Sequence, residues 1–413
     1  MTRTIAIIDL KSFYASCECA VRHLDIFKTP LVCCDPYRSD SSIVMSVTPY
    51  LKEKYGCGNV CRKKDLPNVP GMIYAVPRMS YYLTISAKVV SIFLEYVAPE
   101  DLHIYSVDES FLNLGPYLKL YGGSAETIVK RIQKEIWDRL GLVATAGIGP
   151  NMFLAKTALD NEGKKKKPFI AHWDEQDVPA KLWKIHPMTK IWSIAEGTAS
   201  HLSRIGINTL KELAHADDTL LAKEFGIMGA QLKALANGKD ESEIPQKYTP
   251  VSPSLSNGQT LIKPLVPSQC ELLLREMVDD LSSRLRKESF LTQKISVWAS
   301  YGTLGGYSRQ MQLPIATDST YELFAYIREA FFSGIKEAPI CALGISFGKL
   351  SNPKMEQTSL FIDPKEQEER RSLDRTLDQI HGIYGRNSVL RCSSLLPNST
   401  IRRRHEQIGG HRE

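Results

Sequence analysis

The 413-residue sequence contains no run of 18 uncharged apolar residues and no Cys-x-x-Cys pair. Crossing a bilayer takes about 20 apolar residues, so the first absence argues against a membrane span. The apolar run after Arg3 is too short for a secretory signal, and we expect a cytoplasmic chain without a membrane partner. The nine cysteines form an odd set, typical of reduced thiols. Cys57 and Cys61 with Cys33 and Cys34 could build a zinc site, but no histidines stand at ligand spacing, which favours structural thiols.

Length and composition predict a multidomain globular protein. Domains usually hold about 100–200 residues, and the 43% hydrophobic content can supply several cores. The formal charge is +6, with basic residues concentrated in the runs 164–167 and 402–404. Such runs usually form solvated faces, yet they are compatible with contact to a phosphate backbone. The charge therefore permits a nucleic-acid partner without requiring one.

Hydrophobic periodicity predicts an α+β layer in the first part of the chain. Asp9 should end a buried strand, while Asp108 and Glu109 should lie at the tip of a hairpin. The predicted elements are strands at 4–9, 31–34 and 43–47, a helix at 80–96 after one at 13–24, a hairpin at 102–114, helices at 125–140 and 152–161, and a strand at 143–148.

The pattern changes to short helices after the lysine run. Apolar segments around Gly206 are typical of helix-hairpin-helix units, whose loop amides can hold DNA phosphates. The predicted segments are helices at 193–206, 209–214 and 220–225, a linker at 245–258, a βαββαβ-like region at 259–350 with helices near 268–288 and 319–335, an extended tether at 351–363 and a charged, partly helical tail at 364–413.

Asp9, Asp108 and Glu109 are the candidate metal ligands. Nucleotidyl transfer uses two divalent ions roughly 3.5–4 Å apart, and magnesium prefers hard oxygen ligands such as carboxylates. A plainer interpretation is that Asp9 caps the following helix and that Asp108 and Glu109 occupy an exposed turn. Residue type alone favours this plainer interpretation.

The residues around these acids resemble the two metal-binding motifs of Y-family DNA polymerases, the translesion class. The motifs are DLKSFYASCE at 9–18 and YSVDESFL at 105–112, and GIGPNMFLAK at 147–156 is similar to that family's palm motif. Features similar to the UmuC-like branch of Gram-positive bacteria are Pro77-Arg-Met79 with Tyr82 and Ser86, LRCSS at 390–394 and IGGH at 408–411. The resemblance covers essentially the whole chain, and several ordered motifs are far more specific than one.

The resemblance implies an α+β multidomain, right-hand polymerase that synthesises DNA with low fidelity past damaged template bases. The implied regions are a palm at 1–10 and 78–165, small fingers at 11–77, a helical thumb with helix-hairpin-helix at 166–245, a little-finger domain at 255–350, and a tether with clamp-binding peptide and tail at 351–413.

The resemblance also implies roles for individual residues. Asp9, Asp108 and Glu109 would hold two Mg²⁺ ions, with Mn²⁺ able to substitute, and the carbonyl of Leu10 would complete the coordination. The residues implied to bind dNTP are Ser12, Phe13, Tyr14, Tyr50 and Lys156. Tyr14 would be the steric gate, because a ring under the sugar leaves no room for a 2′-hydroxyl. For Phe13, ordinary core packing is an equal alternative.

Two positions depart from the family pattern. The family pairs a Tyr with an Arg three residues later to clamp the triphosphate, whereas Tyr50 is followed at that spacing by Glu53. Lys52 or Lys54 could supply the cation, although a lysine lacks the bidentate geometry of a guanidinium. In the thumb, the segment 193–195 reads Ser-Ile-Ala where related chains carry Gly-apolar-Gly, which predicts a looser grip on DNA.

The expected partners are primer-template DNA, dNTP and a bacterial sliding clamp, with a recombinase filament or accessory subunits as further possibilities. Gln357, Leu360 and Phe361 match the QxxLF pattern of clamp-binding peptides. Lys294 and Arg309 are candidate phosphate contacts. Two alternatives are open: a catalytically weak or inactive DNA- and clamp-binding subunit, and a nucleotide cyclase on a similar palm, which leaves the later domains unexplained.

Overall fold

The computed structural model describes residues 3–37, 40, 42–58, 61–244, 252–352 and 364–412. Its strands are β1 Ile5–Leu10, β2 Leu31–Cys33, β3 Ile43–Val44, β4 Ser46–Val47, β5 Cys61–Arg62, β6 Ile73–Ala75, β7 Leu102–Ile104, β8 Glu109–Asn113, β9 Ala144–Gly149, β10 Ile170–His172, β11 Leu255–Leu265, β12 Leu291–Ser300, β13 Gly306–Thr317, β14 Ile340–Ser351, β15 Gln407–Ile408 and β16 His411–Arg412.

The α-helices contain no candidate membrane span within these described ranges. They are α1 Phe13–Val21, α2 Pro49–Tyr55, α3 Met79–Phe93, α4 Ala125–Leu140, α5 Met152–Ala158, α6 Glu196–Arg204, α7 Leu210–His215, α8 Asp218–Phe225, α9 Ile227–Ala236, α10 Pro267–Lys287, α11 Thr320–Phe332, α12 Pro364–Tyr384 and α13 Ile401–His405. The chain divides into two compact units, residues 1–247 with 411–413 and residues 248–410.

The first unit is organised around a five-stranded sheet in the order β10-β9-β1-β8-β7. Strand β1 lies at its centre, antiparallel to β8 and β9, and all six of its residues are buried. Asp9 is the penultimate residue of β1. Glu109 begins β8 and pairs with Asp9, so the prediction that it lies at a hairpin tip is wrong. Of the two acids, only Asp108 lies in the turn, because pairing with β1 extends β8 back to Glu109.

Helix α5 packs directly on β9, and this contact depends on a glycine. A Cβ atom on Gly147 would lie 2.0 Å from the carbonyl oxygen of Ala155. Asn151 caps α5, its side chain accepting a hydrogen bond from the Leu154 amide at 2.8 Å. The Gly-x-Gly-Pro-Asn segment therefore fixes the helix that carries Lys156 against the central sheet.

The small strands between α1 and α3 form a three-stranded sheet, β4-β2-β6, and a separate β3-β5 pair. Val32, Val44, Val47 and Leu51 share a small core of their own with Val69. This region lies within the segment 11–77 that the sequence predicts to be the fingers, and that assignment stays a prediction. The finer domain boundaries within the first unit stay a prediction.

Helices α6 to α9 follow the lysine run and share a core that includes Leu202, Leu210 and Leu232. Helix α9 was not predicted, since Ile227 and Met228 in its first turn are exposed and obscure its amphipathic pattern. Ser193 adopts a positive φ of 79°, so the backbone at this point has a conformation that favours glycine although serine occupies it.

The second unit has the predicted βαββαβ arrangement, with all strand pairs antiparallel in the order β11-β14-β12-β13. Helices α10 and α11 share one core with alternate residues of the strands, including Ile295, Val297 and Phe347. The tail also packs on this unit: Arg286 in α10 forms ion pairs with Asp374 and Asp378 in α12.

Candidate active site

Strand register brings the carboxylates of Asp9 and Glu109 together. The two residues are direct partners across β1 and β8, and their side chains hydrogen-bond to each other. On the other side of β1, the hydroxyl of Thr145 donates to Asp9 Oδ1 at 3.3 Å. Two acids thus share a nearly buried position in the central sheet, where an unpaired charge would be costly.

Two lysines supply the opposite charge. Lys156 Nζ lies 2.6 Å from Glu109 Oε1, and Lys164 Nζ lies 2.9 Å from Asp9 Oδ2 and 3.4 Å from Glu109 Oε1. Asp160 contacts both lysines, at 3.2 Å and 3.0 Å. Lys156, Asp160 and Lys164 stand four residues apart along α5 and a π-helical segment at 159–163. This spacing lets both lysines reach Asp9 and Glu109 while Asp160 contacts the lysines.

The electrostatic environment differs between the two acids. Burial raises the pKa of Asp9 from 3.8 to about 7; the Lys164 ammonium opposes this rise, and Glu109 adds to it. Burial also acts to raise the pKa of Glu109, but the hydrogen bond with Asp9 and the charge of Lys156 hold that pKa below its usual value. The pair therefore shares a proton readily near neutral pH.

Asp108 lies beside this pair with its side chain directed elsewhere. Its Oδ1 accepts a hydrogen bond from the Ser106 hydroxyl at 2.7 Å, while its main-chain oxygen accepts one from the Leu10 amide at 3.0 Å. Among the described residues, no group of three or more Asp, Glu, His or Cys side chains is arranged as a metal site. The structure thus brings Asp9 and Glu109 together and leaves Asp108 adjacent to them.

Tyr14 lies at the start of α1 and packs on the ring of Tyr82, with ring centroids 5.1 Å apart. The Tyr82 hydroxyl donates to Glu18 at 2.8 Å, and Arg78 donates to both carboxylate oxygens of Glu18 at 3.0 Å. Glu18 is fully buried and also pairs with Arg22. The Tyr14 ring therefore lies on an aromatic side chain that is held by a buried ion-pair network.

Ser12 and Phe13 have different surroundings at the start of α1. Ser12 has a left-handed backbone with φ 50°, and its buried hydroxyl has no hydrogen-bond partner in the described part of the chain. Phe13 is buried and packs against Tyr14 and Tyr82, so its side chain belongs to the core. Any contact from Phe13 to a nucleotide would come from its backbone amide.

The segment around Glu53 offers a cation from a neighbouring position. The Tyr50 hydroxyl accepts a hydrogen bond from Lys54 Nζ at 3.0 Å, and exposed Glu53 interacts with Lys11. Burial lowers the pKa of Lys52, and the positive charges of Lys11 and Lys164 lower it further, whereas Asp9 and Asp108 oppose the shift. Lys52 is thus the lysine of this helix whose charge interacts with Asp9 and Asp108.

Sequence reasoning missed Lys164 and Glu18 as residues of this region. Lys164 stood in a lysine run interpreted as a solvated face or a phosphate contact; the available signal was the spacing of four residues from Lys156 to Asp160 and from Asp160 to Lys164. Glu18 was quoted only as part of a motif. The proposed clamp residues Gln357, Leu360 and Phe361 lie outside the described residues.

Comparison with known proteins decides the family. The impB/mucB/samB family model matches residues 8–160, and the model of that family's C-terminal domain matches residues 252–360. The putative UV-damage repair protein UvrX of Bacillus subtilis (strain 168) is 31% identical over 99% of this chain and 98% of its own length. The chain belongs to the Y family of DNA polymerases.

Two further comparisons agree with this assignment. DNA polymerase IV 2 of Bacillus subtilis (strain 168) is 30% identical over 99% of this chain and 98% of the relative. A solved Y-family DNA polymerase chimera is 18% identical, with a TM-score of 0.66 over 84% of this chain and 99% of the chimera. At that identity the solved structure supports the fold alone. Members of this polymerase family use divalent metal ions, so the acidic pair of this Y-family chain is the natural candidate for their site.

Proposed function

We propose that this chain carries out template-directed, low-fidelity DNA synthesis past damaged template bases, using two magnesium ions held by Asp9, Asp108 and Glu109. One observation carries the proposal: Asp9 and Glu109 face each other across β1 and β8 and surround the Lys164 ammonium. Two carboxylates that already surround a cation are a suitable donor set for a hard divalent ion. The relatives named for DNA polymerase IV and UV-damage repair support the substrate class.

The residues present fit magnesium by their chemistry. Asp9 and Glu109 supply carboxylate oxygens, and Asp108 would add a third carboxylate from the neighbouring turn. The carbonyl of Leu10 would be a neutral ligand, since Leu10 is held beside Asp108 by its amide. When bound, the ions would lower the pKa of the primer 3′-hydroxyl and offset the charge of the leaving pyrophosphate. Manganese would accept the same oxygen ligands.

Several groups of the chain would bind the triphosphate. The amides at the start of α1, from Ser12 to Tyr14, lack partners within the helix and lie where the helix dipole attracts anions. Lys156 is held beside Glu109 and would contact a phosphate oxygen when that carboxylate binds metal. We assign the missing fingers cation to Lys52, because Lys54 is engaged by Tyr50. These contacts orient the α-phosphate toward the primer.

Tyr14 would select deoxyribose over ribose. Its ring is supported from one side by Tyr82, which Glu18 holds in place, so the ring cannot retreat to make room for a 2′-hydroxyl. This rigidity is the physical requirement of a steric gate, since a mobile ring would admit both sugars. Clamp binding through Gln357, Leu360 and Phe361 stays a sequence prediction, as do the recombinase filament and accessory subunits.

Primer extension tests the proposed function. With magnesium and dNTPs, the wild-type chain should extend a primer on an undamaged template and across an abasic site. Asp108→Ala should abolish extension, because the third carboxylate is lost. Asp138→Ala is a matched control, since Asp138 is an exposed acid paired with Lys134 on α4. Extension by Asp108→Ala at the wild-type rate would overturn the site. Tight primer-template binding without incorporation under magnesium or manganese would instead favour the inactive-subunit alternative.

A further inference from the structure

Lys164 is a charged residue of the active-site region to which the proposed function gives no role of its own. Its Nζ lies 2.9 Å from Asp9 Oδ2 and 3.4 Å from Glu109 Oε1, so one ammonium contacts both acids that face each other across β1 and β8. The ion pairs of Lys156 are with Glu109 and Asp160. Lys164 is therefore the lysine whose ammonium lies between the two candidate metal ligands.

Three features of the fold hold the backbone of Lys164 in this place. The π-helical segment Leu159–Gly163 ends directly before it, and the Lys164 amide donates to the Leu159 carbonyl at 3.0 Å. A Cβ atom on Gly163 would lie 2.4 Å from the carbonyl oxygen of Ala146, so this glycine lets the segment lie directly against β9. Lys11 Nζ donates to the Lys164 carbonyl at 2.8 Å. π-Helical turns are rare and occur frequently at functional sites, and this one fixes where the Lys164 side chain begins.

Asp160 gives Lys164 a second partner on the same segment. Its Oδ1 lies 3.0 Å from Lys164 Nζ, and it is not one of the candidate metal ligands. The side chains of Lys164 and Asp160 are 34% and 32% exposed, so both border solvent and can move without crossing the core. The ammonium can therefore leave Asp9 and Glu109 and stay paired with Asp160, which avoids the cost of an unpaired charge.

The ammonium of Lys164 and a divalent ion would use the same carboxylate oxygens. Two cations at contact distance from one oxygen repel each other strongly where little water screens them. Asp9 Oδ2 and Glu109 Oε1 are the oxygens that Lys164 contacts, and both belong to nearly buried side chains. A metal ion that binds these oxygens would therefore require Lys164 to withdraw.

We propose that Lys164 is an internal competitor for the metal site, which neutralises Asp9 and Glu109 until a divalent ion binds and then turns to Asp160. This inference rests on the proposed function for the identity of the ligand. The metal affinity of the protein is then the intrinsic affinity of the acids multiplied by the fraction of molecules in which Lys164 has withdrawn. Lys164 thereby sets the concentration of divalent ion at which the site fills.

Titration of the full-length protein with Mn²⁺, without DNA or nucleotide, tests the competition apart from catalysis. Electron paramagnetic resonance of the free ion measures binding. Lys164→Gln should raise the Mn²⁺ affinity about tenfold, because the competing charge is removed while the side chain stays polar. Lys164→Arg should not raise it, since a guanidinium keeps the charge and can pair with both acids. Lys165→Gln is the matched control, because it removes the same charge from an exposed neighbouring position, and its affinity should equal that of the wild type.

The second partner is tested by its own pair of variants. Asp160→Asn should lower the Mn²⁺ affinity, because Lys164 loses the carboxylate to which it withdraws. Glu162→Gln is the control for this change, since Glu162 is an acid of the same π-helical segment that pairs with Trp173 and Lys181 instead. Its Mn²⁺ affinity should match the wild type. This pair does not depend on whether Lys164→Gln folds.

Thermal unfolding supplies the second measurement and verifies that the variants are folded. At one fixed Mn²⁺ concentration, the rise of the thermal midpoint above its value in chelator should be larger for Lys164→Gln than for the wild type, because tighter binding stabilises more. Equal Mn²⁺ affinity in folded Lys164→Gln and the wild type would overturn the inference, as would an equal gain in Lys165→Gln. If Asp9→Asn bound Mn²⁺ as the wild type does, the proposed metal site itself would be wrong, so the two failures are distinguishable.

Discussion

Asp9 near the end of β1 and Glu18 in the following helix α1 are both buried acids, yet their surroundings differ. Glu18 is fully buried and accepts hydrogen bonds from Arg78, Arg22 and Tyr82. Asp9 has only a weak hydrogen bond from Thr145, a shared contact with another acid and the ammonium of Lys164. The first acid is saturated with fixed donors, and the second is not.

This difference distinguishes a carboxylate that stabilises the fold from one that can bind a ligand. A carboxylate whose oxygens are all occupied by donors from the fold has no capacity for a ligand, and its role is to hold its neighbours in place. A buried carboxylate with few donors carries an electrostatic cost that a bound cation relieves. Burial alone would have ranked Glu18 above Asp9 as a candidate, so the number of fixed partners is the better criterion.

The largest expected effect comes from Asp9→Asn. Loss of the charged oxygen should reduce primer extension by on the order of 1,000-fold or more, because a metal ligand disappears. The fold should tolerate the change. If Asp9→Asn retained wild-type primer extension, Asp9 would have a structural role like that of Glu18, and the proposed difference between the two acids would be wrong.

The same variant has a distinct pH signature in metal-free protein. Because the folded pKa of Asp9 is raised from 3.8 to about 7, its contribution to stability is fully present below pH 3.8 and is lost as the pH rises through about 7. The thermal midpoint of the wild type should therefore fall relative to Asp9→Asn between pH 5 and pH 8. Differential scanning calorimetry of both proteins in chelator would measure it, and a constant difference across this window would contradict the assignment.

The main effect of Glu18→Gln should be a loss of stability. The change leaves Arg78 and Arg22 without their shared carboxylate, which should lower the free energy of unfolding by about 2–4 kcal/mol. Urea denaturation would measure the loss. The matched control is Glu95→Gln, because Glu95 also pairs with an arginine, Arg139, but at an exposed position, and its loss of stability should be much smaller. Equal losses of unfolding free energy in the two variants would show that the buried ion pairs contribute no more to stability than the exposed pair.

The smallest expected effect is that of Tyr82→Phe. Removing the hydroxyl frees the ring under Tyr14 from Glu18 without removing the ring itself, so discrimination against rNTP should fall only a few-fold. Single-nucleotide incorporation with matched dNTP and rNTP would measure it, with Tyr81→Phe as the control on the same helix. A drop in overall rate with unchanged sugar discrimination would show that Tyr82 supports the fold and not the gate.

Much of the local structure follows from periodicity. The βαββαβ unit, α3 and α4 were predictable because their apolar residues recur at strand or helix spacing. Helix α9 was not, because Ile227 and Met228 face solvent. Glu109 was assigned to a turn, since no local rule shows that β8 is extended by its pairing with β1.

The sequence by itself determined the family and the candidate metal ligands, because ordered motifs around Asp9, Asp108 and Lys156 recur at a spacing that chance does not produce. Only the tertiary structure decided which charged side chains are in contact. Lys164 approaches Asp9 from a segment more than 150 residues away in the chain. Such contacts depend on strand register and helix packing, which bring distant residues together and which local propensity does not encode.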